Sequence, residues 1–119
     1  MRVVVDLDGT ICELKKENQS YGDVRPLPGA VETLWSLKTA GHTIIIYTAR
    51  NMRTCGSNVG KVVANIGKLT LDWLEQYDVP YDELVFGKPQ GDLYIDDLGH
   101  RFEGWEAIAG LYVNGADRE

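Results

Sequence analysis

The sequence has little that would place it among disulfide-rich, zinc-binding or membrane-spanning proteins. Its two cysteines, Cys12 and Cys55, form no CxxC pair and accompany no set of histidines. Isolated cysteines of this kind indicate reduced thiols rather than a disulfide framework or a zinc site. The strongest apolar run, Ile44-Ile45-Ile46, is far shorter than a membrane-spanning helix. We therefore expect no disulfide and no membrane partner.

Positive charge is also scarce, with 12 Lys and Arg residues against 18 Asp and Glu residues and a formal net charge of -6. A general nucleic-acid binder needs an extended basic surface, so we expect no nucleic-acid partner. A local basic cluster can still hold a phosphate group on an acidic protein. Only three valines stand between Arg2 and Asp6, which is too short for the apolar part of a signal peptide, and we expect a cytoplasmic protein.

The length of 119 residues suits one globular domain with one hydrophobic core, and leaves no room for a second domain. Apolar residues make up 44% of the chain and charged residues 25%, a composition that argues against disorder. We predict a single domain over residues 1–119.

Short apolar segments alternate with amphipathic ones along the chain. Residues 3–5 are three valines, typical of a buried strand, and the helically spaced apolar residues of 30–40 end at Gly41, as a helix should. The same reasoning predicts further strands at 43–47, 84–86, 93–95 and 111–113, and further helices at 61–79 and 102–109. This alternation is typical of βαβ units. We predict an α/β fold, a three-layer Rossmann-like parallel sheet with helices on both faces.

Polar residues follow the ends of the predicted strands, where parallel α/β sheets bind their ligands. In chain order these residues are Asp6, Asp8, Thr48, Lys88, Asp96 and Asp97. Acids gathered at one sheet edge repel one another unless a cation lies among them, and oxygen ligands without His or Cys suit Mg²⁺. The hydroxyl of Thr48 and the ammonium of Lys88 complement phosphate oxygens. We therefore predict a magnesium-dependent site for a small phosphorylated substrate.

Two acids of this set have chemistry that fits phosphoryl transfer. A carboxylate beside a phosphate, here Asp6, can attack phosphorus and form an aspartyl-phosphate that water later hydrolyses. An acid two residues further on, Asp8, can protonate the leaving alcohol and then deprotonate the water. Gly9 allows the backbone to turn sharply directly after them.

The sequence Asp6-Leu7-Asp8-Gly9-Thr10 after an apolar strand, then Thr48, Lys88-Pro89 and Asp96-Asp97, resembles the four motifs of the haloacid dehalogenase superfamily. The resemblance covers the chain from Val3 to Asp97. It implies that Asp6 is the nucleophile, that Asp8 is the general acid and base, and that Thr48 and Lys88 stabilise the phosphate. It also implies that Asp96 binds Mg²⁺ together with Asp6 and the backbone carbonyl of Asp8, and that Asp97 supports the metal site.

A narrower resemblance concerns four stretches of the chain. Residues 48–54, 56–61, 79–84 and 94–97 are similar to those of small phosphatases associated with capsule-polysaccharide biosynthesis in bacteria. This resemblance implies a sugar phosphate or a related glycan precursor as the substrate.

The superfamily usually gains specificity from an inserted cap domain, and this chain has no room for one. Residues 12–25 are too few to fold as a cap, and Lys88 follows its strand almost at once. We expect an open site, roofed by the loop of residues 51–60 or by a neighbouring subunit of a homo-oligomer. Arg50, Asn51 and Arg53 are candidates for binding the substrate beyond its phosphate, although the two arginines are also explained as exposed surface charges.

Other functions remain open alternatives. A phosphoryl-receiver signalling domain also uses acids, a hydroxyl and a lysine, but a later strand there carries the phosphorylated Asp, and here Thr48 follows the second strand. A nucleotidase, or a phosphatase that acts on a protein or polymer, fits an open site of the same fold.

Overall fold

The computed structural model describes residues 1–114 and has a parallel α/β architecture. In chain order the elements are β1 (Arg2–Asp6), α1 (Ala30–Thr39), β2 (Thr43–Thr48), α2 (Val59–Gln76), β3 (Glu83–Phe86), α3 (Trp105–Ile108) and a π-helix (Ala109–Asn114). The strands form one sheet in the order β1-β2-β3, with both pairs parallel. Across residues 1–114, no helix is both long and apolar enough to span a membrane. The predicted parallel α/β fold is confirmed.

Strand β2 lies at the centre of the sheet and pairs with β1 along one edge and with β3 along the other. Val5 of β1 is level with Ile46, and Ile46 is level with Leu84 of β3. Three consecutive isoleucines, all buried, suit a central strand, since β-branched side chains pack well on a pleated surface. The parallel register brings the carboxyl ends of all three strands to one edge of the sheet.

The helices cover one face of this sheet, whereas the sequence predicts helices on both. Leu34 of α1 and Trp73 of α2 join the same buried cluster as Val5. On the opposite face Val4 is 60% exposed and Val85 is 40% exposed. Each step from β1 to β2 to β3 moves in the same direction across the sheet, and right-handed crossovers then place both helices on the same side. The described residues therefore form two layers.

Two predicted strands are absent from the described part of the chain. Residues 93–95 lie outside any strand and are exposed, because only residues 87–92 separate them from β3. A parallel strand needs a connection of about a dozen residues or more, usually through a helix. Residues 111–113 lie in the π-helix that continues α3, where Tyr112 and Val113 pack against the core of the sheet.

A glycine turn at the end of β3 directs the chain into the site. Gly87 has a φ of 96°, in the left-handed region that favours glycine. The next residue, Lys88, donates its backbone N–H to the carbonyl oxygen of Thr48 at 3.1 Å. This hydrogen bond fixes Lys88 at the carboxyl end of β2.

We expect Gly87→Ala to destabilise the protein by about 1–3 kcal/mol, since it forces an L-residue into a positive φ. The added Cβ would also lie 2.9 Å from Cγ2 of Val59. Gly110→Ala is the matched control, because an added Cβ there meets nothing within 4 Å. Urea unfolding of both variants measures the difference, and equal midpoints would contradict the role given to Gly87.

Candidate active site

The carboxyl ends of the three strands bring Asp6, Thr48 and Lys88 together. Lys88 Nζ lies 3.5 Å from Asp6 Oδ1, and both side chains are partly buried. Thr48, at the end of the strand between them, is fully buried. Its hydroxyl oxygen accepts the backbone N–H of Arg50 at 3.0 Å, and its carbonyl accepts that of Lys88. A carboxylate and an ammonium thus meet at the sheet edge as the sequence predicts, next to the strand end that carries Thr48.

The surroundings of Asp6 oppose its negative charge. Burial raises the pKa of Asp6 above its ordinary value, and the nearby Asp8 carboxylate raises it further. The charge of Lys88 and the backbone N–H of Leu7 act in the opposite direction, without cancelling the effect of burial. The ionised form of Asp6 is thus disfavoured by its surroundings, and a bound cation or an electrophile beside it would stabilise that form.

Asp8 is held by a buried arginine. Arg50 Nη2 donates to Asp8 Oδ1 at 2.7 Å and Arg50 Nε donates to Asp8 Oδ2 at 3.1 Å, a bidentate pair. Arg50 is only 3% exposed, and its Nη1 donates to the hydroxyl of Thr70 at 3.2 Å. Its guanidinium carbon lies 4.2 Å from the centroid of the Tyr21 ring. Arg50, expected to bind the substrate, instead positions Asp8 from inside the protein.

The turn after Asp8 is compact and closed by hydrogen bonds. Gly9 has a φ of 86°, and the carbonyl oxygen of Leu7 accepts backbone N–H groups from the three residues after Gly9. Trp105 Nε1 donates to the carbonyl of Thr10 at 2.7 Å, which connects α3 to this turn. The turn therefore holds Asp8 close to Asp6, the last residue of β1, at the sheet edge.

Cys12 contacts the site as a protonated thiol. Its Sγ lies 3.4 Å from Asp8 Oδ1, and burial raises the pKa of this thiol to about 12, with the Asp8 charge as the next cause. A thiol that keeps its proton donates to the carboxylate and does not bind a metal. The ligands that remain at this edge are oxygen atoms, which favour Mg²⁺.

The other two predicted substrate contacts lie at different depths. Asn51, at a φ of 65°, accepts a hydrogen bond at Oδ1 from Asn65 Nδ2 at 2.5 Å, which holds it against α2. Arg53 is exposed and its Nη2 donates to Gln90 Oε1 at 2.9 Å. Of the three residues proposed to hold the substrate, Arg53 is the one whose charged group faces solvent.

Asp96 and Asp97 are separated from the other acids. Both are exposed, and Asp96 Oδ1 accepts the backbone N–H groups of Leu98 at 2.9 Å and Gly99 at 2.5 Å. Between residues 1 and 114, no three His, Cys, Asp or Glu side chains are grouped so that they could hold a metal ion. The strand end that was predicted to deliver Asp96 beside Asp6 does not form, so this chain brings together two of the expected acids.

Three aromatic and polar residues make contacts at the site that the sequence motifs do not indicate. Tyr21 covers the guanidinium of Arg50, and Thr70 accepts its third hydrogen bond. Lys88 Nζ lies 4.3 Å from the centroid of the Tyr94 ring, which brings the start of the exposed segment close to the site. The two contacts of Arg50 join residues far apart in the chain, so spacing in the sequence could not reveal them.

The fold and the cluster define a parallel α/β protein with an acid and a lysine at the carboxyl edge of its sheet. A crystal structure of a target protein from Vibrio cholerae is similar to this chain, with 34% sequence identity and a TM-score of 0.83 over 99% of this chain and 95% of that one. This chain belongs to the same family as the Vibrio cholerae protein. Neither a scan against family models nor a search of curated proteins gives a match.

We expect Arg50→Met to destabilise the protein by about 3–5 kcal/mol, because it leaves the Asp8 carboxylate partly buried without its counter-ion. Arg53→Met is the matched control, since the hydrogen bond of Arg53 to Gln90 is exposed. Thermal unfolding of both variants decides the point. Similar melting temperatures for the two would show that Arg50 does not hold Asp8.

We expect Asp6→Asn to raise thermal stability at neutral pH in metal-free buffer. The raised pKa of Asp6 means that its ionised form disfavours the folded state, a cost that appears as pH rises through the ordinary Asp value and the raised one. Asp82 has the opposite sign, because hydrogen bonds from Lys38 and from the backbone N–H of Ile44 lower its pKa.

Asp82→Asn should therefore lower the melting temperature at neutral pH, and its effect should shrink as acid protonates Asp82 in the parent protein. Melting curves of both variants between acidic and neutral pH provide the measurement. A loss of stability in Asp6→Asn at neutral pH would contradict the environment described for Asp6.

Proposed function

We propose that this protein is a magnesium-dependent phosphomonoesterase of the haloacid dehalogenase type, with Asp6 as its covalent nucleophile. The observation that carries the proposal is the Asp6 carboxylate with Lys88 Nζ 3.5 Å away, at the sheet edge where Thr48 ends the neighbouring strand. The proposal includes the fuller three-layer core of that superfamily. That core requires a further strand on the outer side of β1. Strands are then added in the opposite direction across the sheet, and a right-handed crossover in that direction places a helix on the second face.

Asp6 is suited to attack phosphorus. Its side chain is partly exposed, so a phosphate can reach it, and Lys88 can bind the phosphate oxygens as they gain negative charge. One Asp6 oxygen forms the bond to phosphorus while the bond from phosphorus to the ester oxygen breaks. Water then attacks the phosphorus of the aspartyl-phosphate, which releases inorganic phosphate and restores Asp6.

Asp8 moves the proton in both halves of the reaction. In the first half Asp8, once it has taken up a proton, gives it to the leaving alcohol, and in the second it takes one from the attacking water. The bidentate contact with Arg50 fixes the plane of the Asp8 carboxylate beside Asp6. Arg50 therefore acts through Asp8, as a positioning residue.

The donors at the site fit Mg²⁺ in kind. They are carboxylate and carbonyl oxygens of Asp6 and Asp8, and the neighbouring Cys12 thiol keeps its proton. Asp6 and the carbonyl of Asp8 would hold the ion, and Asp96, with Asp97 in support, would join them where it is brought to this sheet edge. When bound, Mg²⁺ would offset the charge of the acids and of the phosphate.

The substrate class follows from the openness of the site. Residues 12–25 form turns and bridges rather than a folded cap, so the phosphate is reached from solvent. Arg53, exposed at the rim, is available for a polar group beyond the phosphate. We propose a small phosphorylated substrate such as a sugar phosphate or glycan precursor in the cytoplasm, in line with the capsule-biosynthesis resemblance.

We expect Asp6→Asn to lower Mg²⁺-dependent hydrolysis of aryl phosphates about 10³-fold or more, whichever aryl group leaves. Asp8→Asn should lower it by about 10²–10⁴-fold for poor leaving groups and by much less for good ones, since a good leaving group needs no acid. The measurement is kcat/KM over a series of aryl phosphates of graded leaving-group pKa.

A panel of sugar phosphates, nucleotides and phosphopeptides, assayed with Mg²⁺ and with Asp6→Asn as the blank, then identifies the substrate class. Turnover retained by Asp6→Asn would refute the nucleophile. Losses in Asp8→Asn that are the same across the series would refute proton donation by Asp8.

A further inference from the structure

An apolar segment projects from the protein with its side chains in solvent. Leu93 is 70% exposed, Ile95 is 88% exposed and Leu98 is 91% exposed. They stand close together in sequence, beside the exposed acids Asp96 and Asp97. A contiguous exposed apolar segment in a protein of ordinary composition marks a surface that another surface covers.

The outer edge of β1 is a free sheet edge with which such a segment could pair. β1 pairs with β2 alone, and the backbone hydrogen bonds of Val3–Asp6 in the described chain are those of that pair. Its outer N–H and C=O groups are free to pair with an added strand, as sheet edges commonly do. The side chain of Val4 at this edge is 60% exposed.

Within its own chain, the segment cannot pair with the free edge of β1 in the parallel direction that would bring Asp96 beside Asp6. Lys88 is held at the carboxyl end of β2, so residues 87–92 would have to cross β2 and β1 and return along the sheet. A parallel connection needs about a dozen residues or more. An antiparallel strand could start nearby, but it would carry Asp96 to the end of β1 opposite Asp6.

We propose that residues 93–97 of a second copy of this chain add to the free edge of β1 as a parallel strand, reciprocally in a two-fold dimer. Each copy then gives and receives one strand, and Asp96 of each copy completes the site of the other. Reciprocal exchange of an identical element is a low-cost route to a dimer, because the same surfaces are used twice.

The side chains agree with this pairing. If Asp96 is level with Asp6, then Ile95 is level with Val5 and Leu93 with Val3, which places both apolar residues on the core face of the sheet. Asp92 is then level with Arg2, a pair of opposite charges at the far end of the two strands. In both segments three apolar or aromatic residues stand between two charged ones.

The exchange deepens the proposed function, on which its catalytic part rests. One protomer gathers Asp6 and Asp8 but leaves Asp96 in solvent, so its set of acids is incomplete. A strand that ends at Asp96 beside the partner's Asp6 supplies the third acid. The dimer therefore contains two sites, each built from two chains.

The oligomeric state tests the proposed interface and requires no enzyme assay. Sedimentation should give a particle of twice the chain mass of 13.3 kDa for the parent protein. Ile95→Asp should give a monomer, because it places a charge on the buried face of the added strand. Leu71→Asp, at a half-exposed position on α2, is the control and should remain dimeric.

Cross-linking tests which chains pair. In a Cys55→Ser background, Val3→Cys with Leu93→Cys should form a disulfide that joins two chains on a non-reducing gel. Val85→Cys with Leu93→Cys, on the far strand β3, is the control and should not. A disulfide closed within one chain would show that the segment pairs with its own sheet.

Complementation tests the shared site. Asp6→Asn and Asp96→Asn are co-expressed with different tags, and the mixed dimer is purified through both tags. One of its two sites is intact, so it should recover about half of the parent rate while each variant alone is inactive. With unshared sites the mixed dimer would have no intact site and no recovery.

The outcomes separate the two proposals. A monomeric parent, a dimeric Ile95→Asp variant or an intrachain disulfide would each overturn the exchange. An active parent whose mixed dimer shows no complementation would overturn the shared site. A cross-linked dimer whose parent shows no Mg²⁺-dependent phosphatase activity would leave the strand exchange standing and overturn the proposed function.

Discussion

The need of parallel strands for long crossovers determines most of this structure. Two connections satisfy it, through α1 and through α2, and each adds one parallel strand to the sheet. The third connection, residues 87–92, is too short, so the sheet stops at three strands and the chain leaves its surface. The same constraint explains the free edge of β1, the exposed segment near Ile95, and the separation of Asp96 from the other acids.

The chemistry of the site rests on two differently placed carboxylates. Asp8 faces inward, where the buried guanidinium of Arg50 engages both of its oxygens. Asp6 faces outward beside Lys88, in surroundings that raise its pKa because burial outweighs the attraction of the lysine. One acid is thus fixed in position by protein charge, and the other lacks enough positive charge of its own. An incoming cation or phosphorus atom therefore meets an unsatisfied charge at Asp6.

Much of the fold was predictable because the first five elements follow local rules. The valines before Asp6, the isoleucines before Thr48, and the apolar spacing that Gly41 ends all describe side-chain periodicity and backbone preference, which are properties of neighbouring residues. The prediction of a strand at 93–95 was wrong for the described protomer. It rested on the apolar pattern alone and did not consider how short the connection before that segment is. Periodicity says that such a segment pairs with something, and it does not say with which chain. The strand at 111–113 was wrong because apolar residues in a short run fit a helix as well as a strand, and here α3 continues through them.

In the candidate site too, features set by neighbouring residues were predictable, and features set by contacts between distant residues were not. Asp6, Thr48 and Lys88 converge as predicted, since strand ends in a parallel sheet share an edge whatever the loops do. The place of Arg50 depends instead on Asp8 and Thr70, residues on two other parts of the chain. No spacing rule relates them, and an arginine just after a strand is equally suited to solvent, to a substrate or to a buried acid. The choice is made by packing: Tyr21 closes over the guanidinium, and once water is excluded the charge must be paired. Burial of Arg50 thus turns a residue that could bind substrate into one that orients Asp8, whereas Arg53 stays exposed.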